Sequence, residues 1–402
     1  MNQLFLGKTL SSLRKKRKLT QAALAEILNV SDKAVSKWET GLGYPEITLL
    51  PIIANALGVT VDFLLSGKRD GIAIIGNLHY DTVRNVDTDY RRTLLSNVDS
   101  ISQMAGGCVP NIALNLCKID PTIPITAMGC IGNDESGRYI LSRLQRHLVK
   151  TSDIICLNEA TGSNDIISYP STDRTVFRYL GANAKFNPAS IDIKNLTCRI
   201  AHWGRLSVFP HYWDSDEEYG CKLARLLHDM QSSGIRTSVS LFDCFPHLTS
   251  DQYYSILKYC DYLMLAPNTL SQDLFHGNIH HTSRNAQNKS CMQHLLEMGG
   301  CEKVFLIDNN TQAFCLSKDG HFSASSRKEI PKAQAKSTKG IADEFCSGCL
   351  YGIYNGFSDE KTLDFALAVT TVGLIYNVTD DSMISQKELY EMLPGNTQAG
   401  HI

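Results

Sequence analysis

Apolar positions recur every three or four residues along the first 66 residues of the chain, which predicts a series of short helices. Leu6, Leu10 and Leu13 follow this spacing and line one face of the first helix. Further helices are predicted at residues 21–28, 32–39, 49–57 and 61–65, with Thr20, Ser31, Thr48 and Thr60 as their N-caps. The N-terminal part of the chain, which we call the head, is therefore expected to be all-α.

The pattern changes after Gly71 to short apolar strands that alternate with helices, and residues 72–75 are the first such strand. This alternation predicts an α/β fold with a mostly parallel sheet flanked by helices, and we call this part the body. The polar stretch before it is short, and at about 3.3 Å per residue it spans at most roughly 20 Å, so we expect the head to contact the body. We predict a head at residues 1–66, a linker at 67–71 and a body at 72–395.

The composition, with 43% hydrophobic and 20% charged residues, is that of an ordinary globular protein. The sequence shows no signal peptide and no run of about 18 apolar residues, so we predict no membrane partner and a cytoplasmic location. The 13 cysteines have no metal-ligand spacing, and no metal site is predicted from them. Cys346 and Cys349 form a lone Cys-x-x-Cys, which buried small side chains explain better than a redox pair.

Charge is distributed unevenly between the two parts of the chain. Residues 1–70 carry ten Lys or Arg against six Asp or Glu, whereas the remainder has a net charge of −6. A basic head on an acidic body points to a nucleic-acid partner for the head. Five of the basic residues form one run, Arg14 to Lys18, which either contacts that partner or serves solubility.

The stretch KSTKGIADEFCSGCLYG, residues 336–352, reads as a turn that becomes a helix. Gly340 permits a backbone conformation closed to other residues, and the amides that open the helix form an anion site. Asp343, in the first turn, is placed to take a proton from a hydroxyl group. An ordinary helix start has the same features, so this stretch alone leaves both interpretations open.

The head has the spacing of a helix-turn-helix domain. It resembles the lambda-repressor-like (XRE) family through Gln21, Ala25, Val30, Ser31, Val35, Trp38, Glu39, Gly41, Pro45, Leu49, Leu57, Gly58 and Val59. The resemblance implies double-stranded DNA as the partner, with the third helix in the major groove. The outward-facing residues of the third helix are then the candidates for contact with bases or phosphates, and they are Asp32, Lys33, Ser36 and Lys37. At the start of the second helix, Thr20 and Gln21 are candidates for phosphate contact. The alternative is that Lys33 and Lys37 are simply a solvated face.

The body resembles the PfkB/ribokinase family of carbohydrate kinases. Gly340, Asp343, Phe345 and Gly348 match the family's C-terminal signature, Gly76 to Asp81 matches its opening motif, and Gly106, Gly107 and Asn111 match its Gly-Gly turn. The resemblance implies that Asp343 is the catalytic base and that Gly340 belongs to the anion site. It also implies that Asp81, Gly106, Gly107 and Asn111 bind a sugar under a small β-sheet lid, formed by the polar segments 80–102 and 161–182, and that the protein is a homodimer.

The nucleotide side departs from the family pattern. Asn268 is in place, but Ser271 stands where the family has the Glu that helps to hold Mg²⁺, and Asn309 and Gln312 replace turn residues around the nucleotide. Ala342 replaces a glycine beside Asp343, and Asp308 adds a negative charge. We therefore predict a DNA-binding transcriptional regulator whose degenerate kinase body senses a sugar, without a cofactor. The alternative is an active carbohydrate kinase that uses Mg²⁺ and ATP and carries a regulatory head.

Overall fold

The computed structural model describes residues 3–59, 61–88, 95–170, 174–242, 250–266, 284–308, 311–327, 341–376 and Leu389. The head consists of five helices, as predicted: α1 (Gln3–Lys16), α2 (Gln21–Leu28), α3 (Asp32–Glu39), α4 (Leu50–Leu57) and α5 (Val61–Ser66). Their apolar faces meet in one core, in which Leu6, Leu10 and Leu13 of α1 are almost fully buried.

The helix caps in the head are mostly those predicted. Thr20 Oγ1 accepts a hydrogen bond from the Ala23 amide, and Ser31 Oγ accepts one from Ala34. The prediction that Thr48 caps α4 is wrong. The 3₁₀ turn Ile47–Leu49 comes first, and Leu49 has helical dihedral angles (φ −84°, ψ −20°), whereas a capping side chain needs an extended backbone. Thr60 lies outside the described residues.

Arg14 is part of the core of the head. Its Nε and Nη2 donate to the two carboxylate oxygens of Glu39 over 2.5 and 2.8 Å, and Nη1 donates to the Leu19 carbonyl. Gln21 Nε2 donates to the same carboxylate over 2.9 Å. The side chains of Arg14 and Glu39 are only 9% and 5% exposed. Arg14 is therefore a structural residue, so neither of the two roles considered for the basic run applies to it.

The body is built on a nine-stranded sheet with the order β15-β14-β13-β12-β11-β8-β1-β4-β5. Its strands are β1 (Ile72–Ile75), β4 (Ile125–Gly132), β5 (Ile154–Leu157), β8 (Ile200–Trp203), β11 (Arg236–Leu241), β12 (Tyr262–Leu265), β13 (Lys303–Asp308), β14 (Gln312–Ser317) and β15 (Phe322–Ser326). Neighbouring strands pair in parallel, except that β14 runs antiparallel to both of its neighbours, β13 and β15. Strands such as β1, with four fully buried residues, have the continuous apolar sequence expected of a sheet covered on both faces.

Helices pack on this sheet and confirm the predicted α/β class. They are α6 (Cys108–Ile119), α7 (Glu135–Arg146), α8 (Lys222–Ser232), α9 (Ser250–Leu257), α10 (Arg284–Met298), α11 (Ile341–Tyr354) and α12 (Asp359–Tyr376). A two-stranded ribbon, β9 (Ser215–Asp216) and β10 (Gly220–Cys221), lies before α8. Cys346 and Cys349 are fully buried in α11, as predicted. In the part of the chain that the structure describes, no helix is both long and apolar enough to cross a membrane.

A second, four-stranded sheet confirms the predicted small β element, and we call it the lid sheet. Its strands are β2 (His79–Val86), β3 (Val98–Gly106), β6 (Ser163–Ser168) and β7 (Arg174–Tyr179), in the order β3-β2-β6-β7. Strand β2 starts four residues after β1 ends. The base of the lid sheet is therefore fixed at the carboxyl ends of the central strands, where α/β proteins bind their ligands.

The head contacts the body, as the short linker predicts. Lys150 Nζ donates to the carbonyl of Gly58, the residue that ends α4, over 3.1 Å. The Asp70 amide of the linker donates to the Thr197 carbonyl. A cavity of about 430 Å³ lies between the two parts and is lined by residues of both, including Arg17 from the head and Ile125 from the start of β4.

Candidate functional site

Asp81 and Gly106 lie side by side at the base of the lid sheet. Asp81 is on β2, opposite Met104 of β3, and a Cβ atom added to Gly106 would overlap the Asp81 carboxylate. On the neighbouring strand β6, Asn164 Nδ2 donates a hydrogen bond to Asp81 Oδ1 over 2.7 Å. This bond fixes the position of the Asp81 carboxylate. Glycine at position 106 is thus required by the close approach of this acid, and the two predicted residues do come together.

Gly107 makes the turn into α6. Its φ of 92° is in the region that favours glycine, and a Cβ atom there would overlap the Asn77 carbonyl. Asn77 Oδ1 accepts from the Cys108 amide over 3.1 Å, so the chain after β1 is tied to the start of α6. This contact orients the first turns of α6, which carry Asn111.

A hydrogen bond between Asn111 and Asp343 links α6, which follows the Gly-Gly turn, to α11, which carries the C-terminal signature. Asn111 Nδ2 donates to Asp343 Oδ2 over 2.8 Å, although 232 positions separate them in the sequence. Asp343 lies in the first turn of α11 and is 4% exposed. The structure therefore brings the predicted base next to a predicted sugar-binding residue, at the amino end of a helix where negative charge is stabilised.

The predicted nucleotide side is only partly described. Gly340, Asn268, Ser271 and Asn309 lie outside the described residues, whereas Ala342 is half-buried in the first turn of α11. Asp308, predicted as an added charge near the phosphates, is fully buried at the end of β13 and accepts a hydrogen bond from Asn288 Nδ2 over 3.0 Å. Its carboxylate is therefore part of the packed interior of the body.

Glu344, which was not singled out from the sequence, is buried directly beside Asp343. It is 2% exposed, and its carboxyl group packs so closely on α12 that a Cβ atom on Gly373 would overlap it. Burial raises the pKa of Glu344 well above its usual range, Asp343 raises it further, and Arg327 acts in the opposite direction. In sequence Glu344 looks like an ordinary acid of a first helical turn, so the only signal was its position next to the predicted base.

His79 connects the central sheet to the lid sheet. It is 1% exposed, and its Nδ1 accepts from Asn77 Nδ2 over 2.7 Å. Burial, followed by the positive charges of Arg178 and Arg205, lowers the pKa of His79 to about 3, so the imidazole is neutral at neutral pH. Neither arginine was singled out from the sequence, because their proximity to His79 depends on how the lid sheet lies against the central sheet.

The predicted DNA-binding residues lie on one side of the head. Asp32, Lys33 and Lys37 of α3 are exposed and Ser36 is half-buried, so this helix presents an open polar face. Helices α2 and α3 are joined by a tight turn, in which Asn29 has a left-handed backbone (φ 53°). Gln21 is turned towards Glu39 and Thr20 caps α2, so both side chains already have bonds within the head.

The fold and site define two known modules in one chain. The chain belongs to the pfkB family of carbohydrate kinases, whose model matches residues 69–377. A helix-turn-helix model matches residues 10–64, so the head is a domain of the type found in transcriptional regulators.

The curated relatives match stretches of 60 to 67 residues, which is about the length of the head. The chain is 51% identical over 60 residues to the HTH-type transcriptional activator BcrR of Enterococcus faecalis, covering 15% of this chain and 29% of that protein. It is 37% identical over 67 residues to repressor protein C2 of Salmonella phage P22, covering 17% and 31%. The chain thus spans less than a third of the length of these two relatives.

Solved structures match the body and show its fold. Ribokinase and 2-dehydro-3-deoxygluconokinase, both from Thermotoga maritima, each superpose with a TM-score of 0.65 at 17% identity, covering 80% of this chain and 99% of theirs. A putative ribokinase II from E. coli, in complex with ATP and Mg²⁺, has a TM-score of 0.63 at 17% identity, covering 80% and 98%. At this level of identity the similarity concerns architecture alone.

Proposed function

We propose that the protein is a transcriptional regulator that binds DNA through α2 and α3 and senses a sugar-like molecule in its body. The observation that carries the proposal is the contact between Asn111 and Asp343, which brings together two residues of the proposed sugar site in a chain that also has a helix-turn-helix head. Carboxylates suit sugars because each accepts several hydroxyl hydrogen bonds. Asp81 and Asp343 supply two carboxylates to the proposed site, and Asn111 supplies an amide.

Two positions that would hold Mg²⁺ and ATP depart from the family pattern. In the first turn of α11, where an anion would meet the helix amides, Ala342 adds a side chain at a position where the family has a glycine. Ser271, at the position of the family's magnesium-side Glu, offers no charge. Phosphoryl transfer depends on charge neutralisation and positioning, so we favour a sensor over an enzyme.

The DNA-binding half of the proposal predicts that Lys37→Ala weakens binding to a duplex selected from a randomised pool. Loss of a base contact worth about 1–3 kcal/mol lowers the affinity about 5- to 150-fold. Fluorescence anisotropy at constant salt measures the change, because phosphate contacts make the affinity salt-dependent. The matched control is Lys8→Ala, an exposed lysine of α1. Equal affinities for the two variants would remove α3 from the reading role.

The sensor half predicts that millimolar Mg²⁺ and ATP leave the thermal midpoint of the full chain unchanged, because only a ligand that binds the folded state raises it. The contrary result would be a clear rise together with phosphorylation of a sugar. Asp343, held in place by Asn111, is the residue that favours this second candidate function. If phosphorylation occurs and Asp343→Asn abolishes it, the protein is an active carbohydrate kinase.

A further inference from the structure

Arg178 faces the same space as Asp81. In the strand register, Asp81 of β2 lies opposite Asn164 of β6, and Asn164 lies opposite Arg178 of β7. Residues paired in this way share one face of a sheet, and two strand spacings separate Asp81 from Arg178 by about 10 Å. An arginine side chain covers most of that distance, so the Asp81 carboxylate is within reach of the Arg178 guanidinium.

Arg174 is a second cation on this face. It precedes Arg178 by four positions on β7, and side chains an even number of positions apart point to the same side of a strand. Although Arg174 keeps much of its surface in solvent, partial burial lowers its pKa. The positive charge of Arg205 lowers that pKa further, while Asp81 acts in the opposite direction. The Arg174 guanidinium thus lies within electrostatic reach of both Arg205 and Asp81.

Arg205 approaches the same point from the body. It follows β8 and Gly204 and has a left-handed backbone with φ 53°. This conformation is unfavourable for a residue with a side chain, and such strain concentrates at functional positions. Gly204 packs against Cys108, at the start of α6, so the turn that carries Arg205 lies beside the Gly-Gly turn. The charges of Arg205 and Arg178 both act on His79, two residues before Asp81.

The site therefore has more positive charge than a neutral sugar requires. Among the described residues, the three arginines Arg174, Arg178 and Arg205 lie near Asp81 or His79, whereas the proposed site has two carboxylates, Asp81 and Asp343. Hydroxyl groups need donors and acceptors but no net charge, whereas a guanidinium matches a phosphate or carboxylate with two parallel hydrogen bonds. We propose that the ligand is an anionic sugar, a sugar phosphate or a sugar acid, whose charged group is bound by Arg174, Arg178 and Arg205. This inference rests on the sugar-sensing function proposed above.

Isothermal titration of the full chain with matched pairs of compounds tests the inference. The pairs are fructose with fructose 6-phosphate and glucose with gluconate, and inorganic phosphate is titrated alone. We expect one anionic member to bind at least tenfold more tightly than its neutral counterpart, and the pair that responds identifies the anion as phosphate or carboxylate. Arg174→Gln and Arg178→Gln should each remove most of this preference. Arg84→Gln is the matched control, because Arg84 is on the opposite face of the lid sheet, paired with Asp165.

The outcomes separate this inference from the function on which it rests. If a neutral sugar binds as tightly as its anionic partner and the β7 variants behave like Arg84→Gln, the anionic ligand is wrong and the sugar sensor stands. If inorganic phosphate binds as tightly as the sugar phosphate, the arginines select a free anion and the inference is overturned. If no compound binds to protein that still binds DNA, the inference and the sensor half of the proposed function both fall.

Discussion

Arg14→Met is expected to destabilise the head by about 3–5 kcal/mol, the usual cost of removing one partner from a buried ion pair. Glu39 would be left buried without its counter-charge. Burial by itself raises the pKa of Glu39, and the hydrogen bonds from Arg14 and Gln21 now hold that pKa below its ordinary value. Because small domains have a total stability of only about 5–15 kcal/mol, the loss removes a large fraction of the stability of the head and should also weaken DNA binding.

Urea denaturation of the full chain, followed by circular dichroism, measures this effect as an early loss of helical signal. Lys15→Met is the matched control, because Lys15 is the next residue of α1 and is exposed. The double variant Arg14→Met with Glu39→Leu replaces both charges by apolar groups and should recover most of the stability. Equal stability of the Arg14 and Lys15 variants would show that the ion pair contributes nothing.

Glu344→Gln is expected to make the protein more stable at alkaline pH and to change little near pH 5. Burial raises the pKa of Glu344 in the folded state, so the folded chain holds a proton that the unfolded chain releases above about pH 4.5. The wild-type stability therefore falls as the pH rises from the unfolded towards the folded pKa. The loss is about 1.4 kcal/mol for each pH unit in that window, and glutamine removes it.

The test is to measure the thermal midpoints of the wild type and of Glu344→Gln between pH 5 and pH 9. The difference between the two midpoints at each pH isolates Glu344, because the other titrating groups contribute equally to both proteins. Glu297→Gln, at an exposed position of α10, should follow the wild type at every pH. A Glu344→Gln variant that is less stable by the same amount at every pH would mean that Glu344 is ionised in the folded state and paired electrostatically with Arg327.

The division into head and body was predictable because it rests on local patterns. The helical spacing of Leu6, Leu10 and Leu13 and the caps at Thr20 and Ser31 depend on neighbours within one or two turns. The prediction that Thr48 caps α4 was wrong because a threonine that caps a helix and one inside a 3₁₀ turn cannot be told apart from the sequence. The motifs around Asp81, Gly107 and Asp343 were equally visible, since each is a short run of small and polar residues.

The interactions that set the charge of the site were not predictable in this way. Arg14 looked like one of five similar basic residues, and only the packing of α1 against α3 pairs it with Glu39. Arg178 faces Asp81 because of the register between three strands, which no local pattern specifies. The cost of burying Glu344 likewise depends on α12, whose contact with α11 is made by residues far along the chain.

Strand β4 (Ile125–Gly132) extends from the head to the ligand side of the body. Its first residue lines the cavity against the head, and the amide of its last residue donates to Thr161, just before β6 of the lid sheet. At about 3.3 Å per residue, some 25 Å of hydrogen-bonded strand separate the two ends. A ligand that alters DNA affinity must therefore act over this length. A rigid-body rotation about the lid sheet would displace the head in proportion to this length, so even a small rotation on the ligand side would change the position of α3.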